Sequence, residues 1–237
     1  MSRRSSRLSA LLEILQSEGA ASTKELSRKL NVTEMTIRRD LRRLSEEHAL
    51  RIIHGGAIYV DRQKGGSEEY CFGAEEVRNR DRKMRIGRAA AAFVERGDTV
   101  IFDNGTTTEY VARAVSRDLE ITALCYCLNI LNYVCCNPKW KSIIPGGRFH
   151  PNTLMFESAQ GVEMIRSVRA NKAFIAASGV SSKLGVTCID ISEVETKKAV
   201  IASSSARILV VDSSKFGEVR FAHFAELEDF DVVVTDK

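Results

Sequence analysis

Val32-Thr33-Glu34-Met35-Thr36-Ile37-Arg38-Arg39-Asp40-Leu41-Arg42-Arg43-Leu44 is the stretch from which the rest of the chain can be read. Residues three and four apart share one face of a helix, so Ile37, Leu41 and Leu44 form an apolar stripe. At about 100° per residue, Met35, Arg39, Arg42 and Arg43 point the other way, with Thr36 and Arg38 on the flanks. Thr33 is a suitable N-cap, which starts the helix there and places Thr36 in its first turn. Such a helix docks by one side and shows arginine on the other. Taken alone it is a surface helix with a solvated face, and its neighbours decide whether it is more.

Upstream, Leu8, Leu11, Leu12 and Leu15 keep helical spacing and predict a first helix of about three turns, ended near Gly19. Ser22-Thr23-Lys24-Glu25 fits a capping box, with Ser22 as N-cap of a short second helix whose inner face is Leu26 and Leu30. Asn31-Val32 makes the turn into the arginine helix. Downstream, Leu50 to Tyr59 alternates apolar residues around Gly55-Gly56, a hairpin signal. Helix-turn-helix plus hairpin predicts a winged helix over residues 1–60 whose basic helix enters a major groove. Thr36, Arg38 and Arg39 are then the candidates for base edges. Ser22, Thr23, Thr33, Arg42, Arg43, Arg51 and His54, with Gly55 and Gly56 in the wing, are the candidates for the DNA backbone.

Charge agrees with that assignment. The chain of 237 residues carries a net +4, and residues 1–54 hold 11 Lys/Arg against 7 Asp/Glu. The remainder holds 24 against 24, so the whole excess sits in the first quarter, which predicts an acidic polymer as that part's partner; with the winged helix, the expected partner is double-stranded DNA. A hydrophobic content of 44% and a charged content of 28% are ordinary for a globular chain. No apolar run approaches the roughly 18 residues that span a bilayer. Met1-Ser2-Arg3-Arg4 leads into no signal-peptide core, so the expectation is a cytoplasmic protein with no membrane partner. Cys125/Cys127 and Cys135/Cys136 lack the spacing of zinc sites and sit among apolar residues. All four are expected in the core, with no metal, disulfide or cofactor.

Residues 61–82, with Lys64-Gly65-Gly66-Ser67 and a dense charge run, read as a linker. From 83 to 237, helix-like and strand-like runs alternate. The strands expected are Thr99–Phe102, Ile121–Cys125, Ser142–Ile144, Ala173–Ala176, Ile208–Val211 and Val232–Val234, nearly all apolar, as strands buried on both faces are. The helices expected between them are Lys83–Glu95, Thr107–Val115, Leu128–Cys135, Gln160–Arg169 and Ser192–Ser203. This predicts an α/β domain with a mainly parallel sheet. Trp140 and the cluster Phe221-Ala222-His223-Phe224 read as packing.

Ligands of such sheets bind at the carboxyl ends of strands. Asp103-Asn104-Gly105-Thr106-Thr107-Thr108 lies there, with a glycine, hydroxyl donors and a helix start suited to an anion. Pro145-Gly146-Gly147-Arg148 and Asp212-Ser213-Ser214-Lys215 also follow strands and offer a guanidinium and an ammonium. Arg148 equally suits a solvated turn. Glu193 and Lys197, i and i+4, equally suit a helix-surface pair.

With these residues in view, the sequence resembles the DeoR-type family of bacterial sugar-metabolism repressors. The resemblance is carried by the Ser22-to-Leu30 helix, Thr36-Ile37-Arg38-Arg39-Asp40-Leu41 and His54-Gly55-Gly56. It continues through Asp103-x-Gly105-Thr106-Thr107-Thr108, Pro145-Gly146-Gly147, Gly179 with Gly185-Val186-Thr187, Glu193 with Lys197, and Asp212 to Gly217. It implies a sensor domain akin to ribose-5-phosphate isomerase in fold, and a repressor of a sugar or deoxyribonucleoside catabolic operon released by a phosphorylated sugar. Ala123-Leu124-Cys125-Tyr126, Arg148-Phe149-His150 and Lys215 to Arg220 narrow the likeness within the family and imply deoxyribose 5-phosphate. The effector residues it implies are Asp103, Gly105, Thr106, Thr107, Thr108, Gly146, Gly147, Arg148, Glu193, Lys197 and Lys215. It also implies a further short segment after the last strand-like run, so the sheet's closing edge is expected to be incomplete at Lys237. The competing class is a sugar-phosphate isomerase fused to a DNA-binding module. The chain shows no compact acidic motif for that chemistry, so no catalytic residue and no enzyme are expected. Because a single winged helix makes a small DNA contact, at least a dimer is expected.

Overall fold

The computed structural model describes residues 3–18, 20–47, 50–53, 56–59 and 72–236, and the chain divides into two compact units, Met1–Glu68 and Glu69–Lys237. The first unit holds α1 (Arg3–Glu18), β1 (Ala20–Ser22), α2 (Thr23–Leu30), α3 (Glu34–Glu47), β2 (Leu50–Ile53) and β3 (Gly56–Tyr59). Leu11, Leu15, Leu26, Ile37, Leu41, Leu44, Leu50 and Ala57 close into one core, so the leucine spacings of three helices and a hairpin are satisfied together. Asn31 makes the turn at φ 49, a left-handed conformation asparagine tolerates. Thr33 caps α3, accepting from the Thr36 N–H at 3.3 Å.

Three features of this unit were not expected. Ala20–Ser22 forms a third strand, and the sheet order is β1-β3-β2. Asp40 is 2% exposed and accepts from Arg7 Nε at 2.7 Å, tying α3 to α1. Gly56 is not part of the turn but opens β3, paired with Ile53.

The second unit runs α4 (Phe72–Val77), α5 (Arg80–Ala91), β4 (Thr99–Phe102), α6 (Thr106–Ala114), β5 (Ile121–Cys125), α7 (Leu128–Cys135), β6 (Trp140–Ile143), β7 (Arg148–His150), β8 (Met155–Glu157), α8 (Ala159–Ser167), β9 (Ala170–Ile175), β10 (Gly179–Ser181), β11 (Gly185–Cys188), α9 (Val194–Ala202), β12 (Ser204–Val210), β13 (Ala222–Ala225) and β14 (Val232–Val234). Six strands form an all-parallel sheet in the order β14-β12-β9-β4-β5-β6. Successive side chains of a strand face opposite ways. Ile101, Leu124, Ala173, Ile175 and Leu209 therefore pack one face, with Val162, Ile165, Val194, Ala199 and Val200 from α8 and α9. Val100, Phe102, Ala123, Cys125, Phe174, Ile208 and Val210 pack the other, with Ile86, Ala90, Val111, Ile130 and Val134 from α5, α6 and α7. Phe102 stacks on both Phe174 and Trp140 within this second layer. A sheet covered on both faces is why its strands read as continuous apolar runs.

The departures from expectation have local causes. β6, β9 and β12 each begin two to four residues before the expected strands. Their first residues include Lys141, Asn171, Lys172 and Arg207, at the sheet's wetter amino end, where apolar content is no guide. The helix expected at Lys83–Glu95 runs Arg80–Ala91 instead, and Phe93 is exposed while Val94 is buried. Within the stretch expected as linker, Phe72–Val77 is helical and Phe72 is buried; residues 61–71 lie outside the described residues. Short antiparallel pairs, β7 with β8 and β10-β11-β13, add strands that no periodicity announced. Cys125 and Cys127 are core, but Cys135 and Cys136 are exposed at the end of α7. Phe221, read as packing, is 84% exposed, whereas Ala222 and Phe224 are buried.

Candidate functional site

A cleft of about 440 Å³, measured out to its open mouth, lies in the second unit. Its walls are the Asn104–Thr107 loop, Ala176–Ser178, Cys188, Glu193, Lys197, Lys215, Lys83 and Glu75. β4 is a central strand and α6 follows it, so the loop between them stands at the sheet's carboxyl edge. Gly105 adopts φ 151, and a Cβ there would meet the Ala176 Cβ at 2.8 Å. Its carbonyl accepts from Thr108 Oγ1 (2.9 Å) and Asn129 Nδ2 (3.3 Å), while Thr106 and Thr107 line the cleft at the first turn of α6. The first N–H groups of that turn have no intrahelical acceptor.

Behind the loop is a buried charge network. Asp103, 0% exposed, accepts from the Tyr126 hydroxyl on one oxygen, and from Lys197 Nζ (2.5 Å) and the Ala176 N–H (2.9 Å) on the other. Lys197 also donates to the Ala176 carbonyl (3.1 Å) and lies 3.7 Å from Glu193. Burial works against the Lys197 ammonium, but Asp103 and Glu193 outweigh it and hold its pKa above the ordinary lysine value. Burial raises the pKa of Glu193, with Lys197 and the Asn104 amide opposing. The sequence alternative of a surface pair is thus wrong: Glu193 and Lys197 are both buried. Asp103 lies behind the cleft wall rather than on it, its two oxygens already engaged by three donors. Thr108 is likewise behind the wall.

The groups left facing the cleft are different. Asn104 donates to Glu193 at 2.8 Å, but its Oδ1 is buried without a partner. Lys83, 1% exposed, donates to the Glu75 carbonyl. Burial, aided by the like charge of Lys215 and opposed by Glu75, lowers its pKa to about 8. Lys215 Nζ lies 3.0 Å from the Glu75 carboxylate. Sequence reasoning missed Glu75, Lys83 and Asn104 as site residues. Asn104 stood inside the quoted loop and Lys83 at the start of an expected helix, while Glu75 was hidden in the charge run read as a linker.

The segment Pro145 to Arg148 does not join this cleft. Gly147 packs where a Cβ would meet the Glu157 carbonyl at 2.2 Å, and Gly146 accepts from Ser158 Oγ at 2.8 Å. Both glycines serve the start of α8, and Arg148 is exposed in β7.

In the first unit, α3 buries Ile37, Leu41 and Leu44 and exposes Met35, Arg38, Arg39, Arg42 and Arg43; Thr36 is half-buried and Thr33 exposed. Arg38 lies 3.9 Å from Glu34, one turn back. Thr23, expected on the phosphate side, is buried, its hydroxyl 3.4 Å from Glu34. Gly56 lies in β3. His54 and Gly55 lie outside the described residues, as do the side chains of Ser22 and Arg51.

Residues 7–63 match the DeoR-like helix-turn-helix domain and residues 78–237 the DeoR C terminal sensor domain. The chain is 33% identical over 234 residues to the deoxyribose operon repressor of Escherichia coli K12, covering 99% of this chain and 91% of that protein. It is 29% identical over 234 residues to the glycerol-3-phosphate regulon repressor of the same organism, with the same coverage. Among solved structures it is similar to ribose 5-phosphate isomerase A of Methanocaldococcus jannaschii, at a TM-score of 0.43 and 14% identity. That likeness covers 58% of this chain and 55% of the isomerase, so it spans little more than half of either.

Proposed function

The chain belongs to the DeoR family, and we propose from that premise that it is a transcriptional repressor of a sugar-catabolic operon, released from its operator when a phosphorylated sugar enters the cleft. Its relatives include named repressors, which supports a regulator over an enzyme. Their names refer to different compounds, so the name of the effector rests on finer likeness; the 33% identity to the deoxyribose operon repressor supports deoxyribose 5-phosphate.

The observation that carries this reading is the pairing, on one cleft, of an anion-binding end with a hydroxyl-reading end. Lys83, Lys215, and the hydroxyls and N–H groups of Thr106 and Thr107 suit a phosphate. The unpartnered Asn104 Oδ1, with Glu193 beside it, suits the hydroxyls of a sugar. On the DNA side, Thr36, Arg38 and Arg39 contact base edges, while Arg42, Arg43, Arg51 and the wing hold phosphates.

Titrating labelled promoter DNA with and without deoxyribose 5-phosphate tests the reading. The ester weakens binding; the free sugar, lacking the anion, does not. Replacing Thr106 and Thr107 by valine keeps the β-branched shape and removes both hydroxyls, giving a protein that binds DNA and no longer responds. If the double variant still releases DNA at the original effector concentration, the phosphate sits elsewhere. If another phosphosugar alone works, the named effector is wrong. Ketose formed from ribose 5-phosphate would overturn the regulator-only reading.

A further inference from the structure

We propose that Glu75 is a resident carboxylate standing where the effector's anion must go, so that binding displaces it and releases α4 from the cleft. This rests on the cleft being the effector site. Three observations lead to it. First, two of the three cleft lysines are already matched by carboxylates: Lys197 by Asp103 at 2.5 Å and Glu193 at 3.7 Å, and Lys215 by Glu75 at 3.0 Å. Asp103 and Glu193 are buried and locked by further hydrogen bonds, so only the Glu75 partnership can yield. Second, Glu75 lines the cleft and holds two of its cations at once, Lys215 through the carboxylate and Lys83 through the backbone carbonyl. Lys83 hydrogen-bonds a carbonyl rather than a carboxylate, and burial outweighs the nearby Glu75 and Asp212 charges, in keeping with its lowered pKa. Third, among the described residues α4 is anchored at its two ends and through Glu75: Asn79, just past it, donates to Asp212 at 3.1 Å and Ser214 at 3.3 Å, and Glu75 also pairs with Arg78 at 3.3 Å. Phe72 is buried and its N–H donates to the Asn152 carbonyl at 3.1 Å, but Gly73 and Val77 are exposed.

A phosphate monoester carries a charge of about −1.5 to −2 and three acceptor oxygens, more than one carboxylate offers. It can take Lys215 and Lys83 together, which a neutral sugar cannot. Glu75 thereby becomes the residue that sets how much charge an effector needs. α4 also opens the second unit in sequence, so its release is a change close in the chain to the DNA-binding unit.

Calorimetry of the full chain with deoxyribose 5-phosphate, on the unmutated protein and on Glu75→Gln, tests this beside amide exchange at residues 72–77. Glu75→Gln keeps the shape and removes the competing charge, so it should bind about tenfold tighter, the scale of one part-buried charged hydrogen bond. In the unmutated protein the ligand should speed exchange at 72–77; in Glu75→Gln exchange should already be fast and change little. Equal or weaker binding by Glu75→Gln overturns the proposal, as does slower exchange at 72–77 on binding, which would make α4 a closing strap. If the unmutated protein binds no sugar phosphate, the cleft reading itself falls and takes this proposal with it.

Discussion

Lys83 is buried with only a carbonyl as its nearest acceptor, and its low pKa has a functional sign. Burial is the largest cause, with Glu75, Lys215, Asp212 and Arg78 the charges around it. A bound dianion favours the ammonium and pushes that pKa back up, so binding takes up a proton between about pH 8 and the bound-state value. Effector affinity should therefore hold below pH 8 and fall as pH rises through it, and Lys83→Met should remove this alkaline limb while weakening binding at pH 7. Titrations across pH 7–9.5 in buffers of different ionisation enthalpy check both the slope and the proton count. A flat profile in the unmutated protein would remove Lys83 from the anion site. In α3 the arginines divide by position. Arg39→Ala should relax base preference by about 1–3 kcal/mol at one position if Arg39 pairs bidentately with guanine. Arg43→Ala should instead weaken all sequences alike and flatten the salt dependence. Binding of a mutated-operator panel separates the two, and an Arg39→Ala protein with unchanged preference would mean α3 is turned the other way. Asp40 shows what such a stretch hides. It falls at helical spacing with Ile37, Leu41 and Leu44 and was passed over in the sequence, because the partner that lets a carboxylate sit there, Arg7, is on another helix.

Helices α5 and α6 approach so closely that a Cβ on Gly87 would meet the backbone of Tyr110 at 2.6 Å. Since α6 carries Thr106 and Thr107 and α5 carries Lys83, that contact holds together the two helices that bring these residues to the cleft. Gly87→Ala should gain up to about 1 kcal/mol of helix propensity. It should lose more by forcing backbone apart, for a net cost of about 1–3 kcal/mol. Denaturant unfolding should show the loss, and effector affinity should fall with it; a more stable Gly87→Ala protein would refute the close contact. Legibility at this scale followed burial. The six core strands announced themselves as continuous apolar runs, buried on both faces, and the flanking helices by the spacing of their apolar residues. β7, β8, β10, β11 and β13 are short and mix glycine, charged and aromatic residues, so no period survives in them. α4 was invisible for a related reason. Among the described residues Phe72 and Glu75 tie it to Asn152 and Lys215, both distant in sequence, and to Lys83 on the next helix.

At the scale of the molecule, the charge map divides as the contacts do. The +4 excess falls wholly within residues 1–54, and the rest is neutral. A single α3 offers few arginines, and each phosphate contact is lost progressively as salt rises. Specific binding from one such unit would be weak at physiological ionic strength, whereas two units on one symmetric assembly add their contacts. The neutral second unit is the part able to self-associate without net repulsion. We therefore expect at least a dimer, and an operator with two half-sites spaced by about one helical turn, 10–10.5 bp, or a multiple of it. Light scattering at micromolar concentration should give twice the chain mass or more. On the DNA, inserting about 5 bp between the half-sites should abolish tight binding by turning one half-site to the far side of the duplex, and about 10 bp should restore part of it. A monomer in solution, or binding indifferent to both insertions, would mean that each chain reads its site alone, and that the arginines of α3 carry more of the affinity than their number allows here.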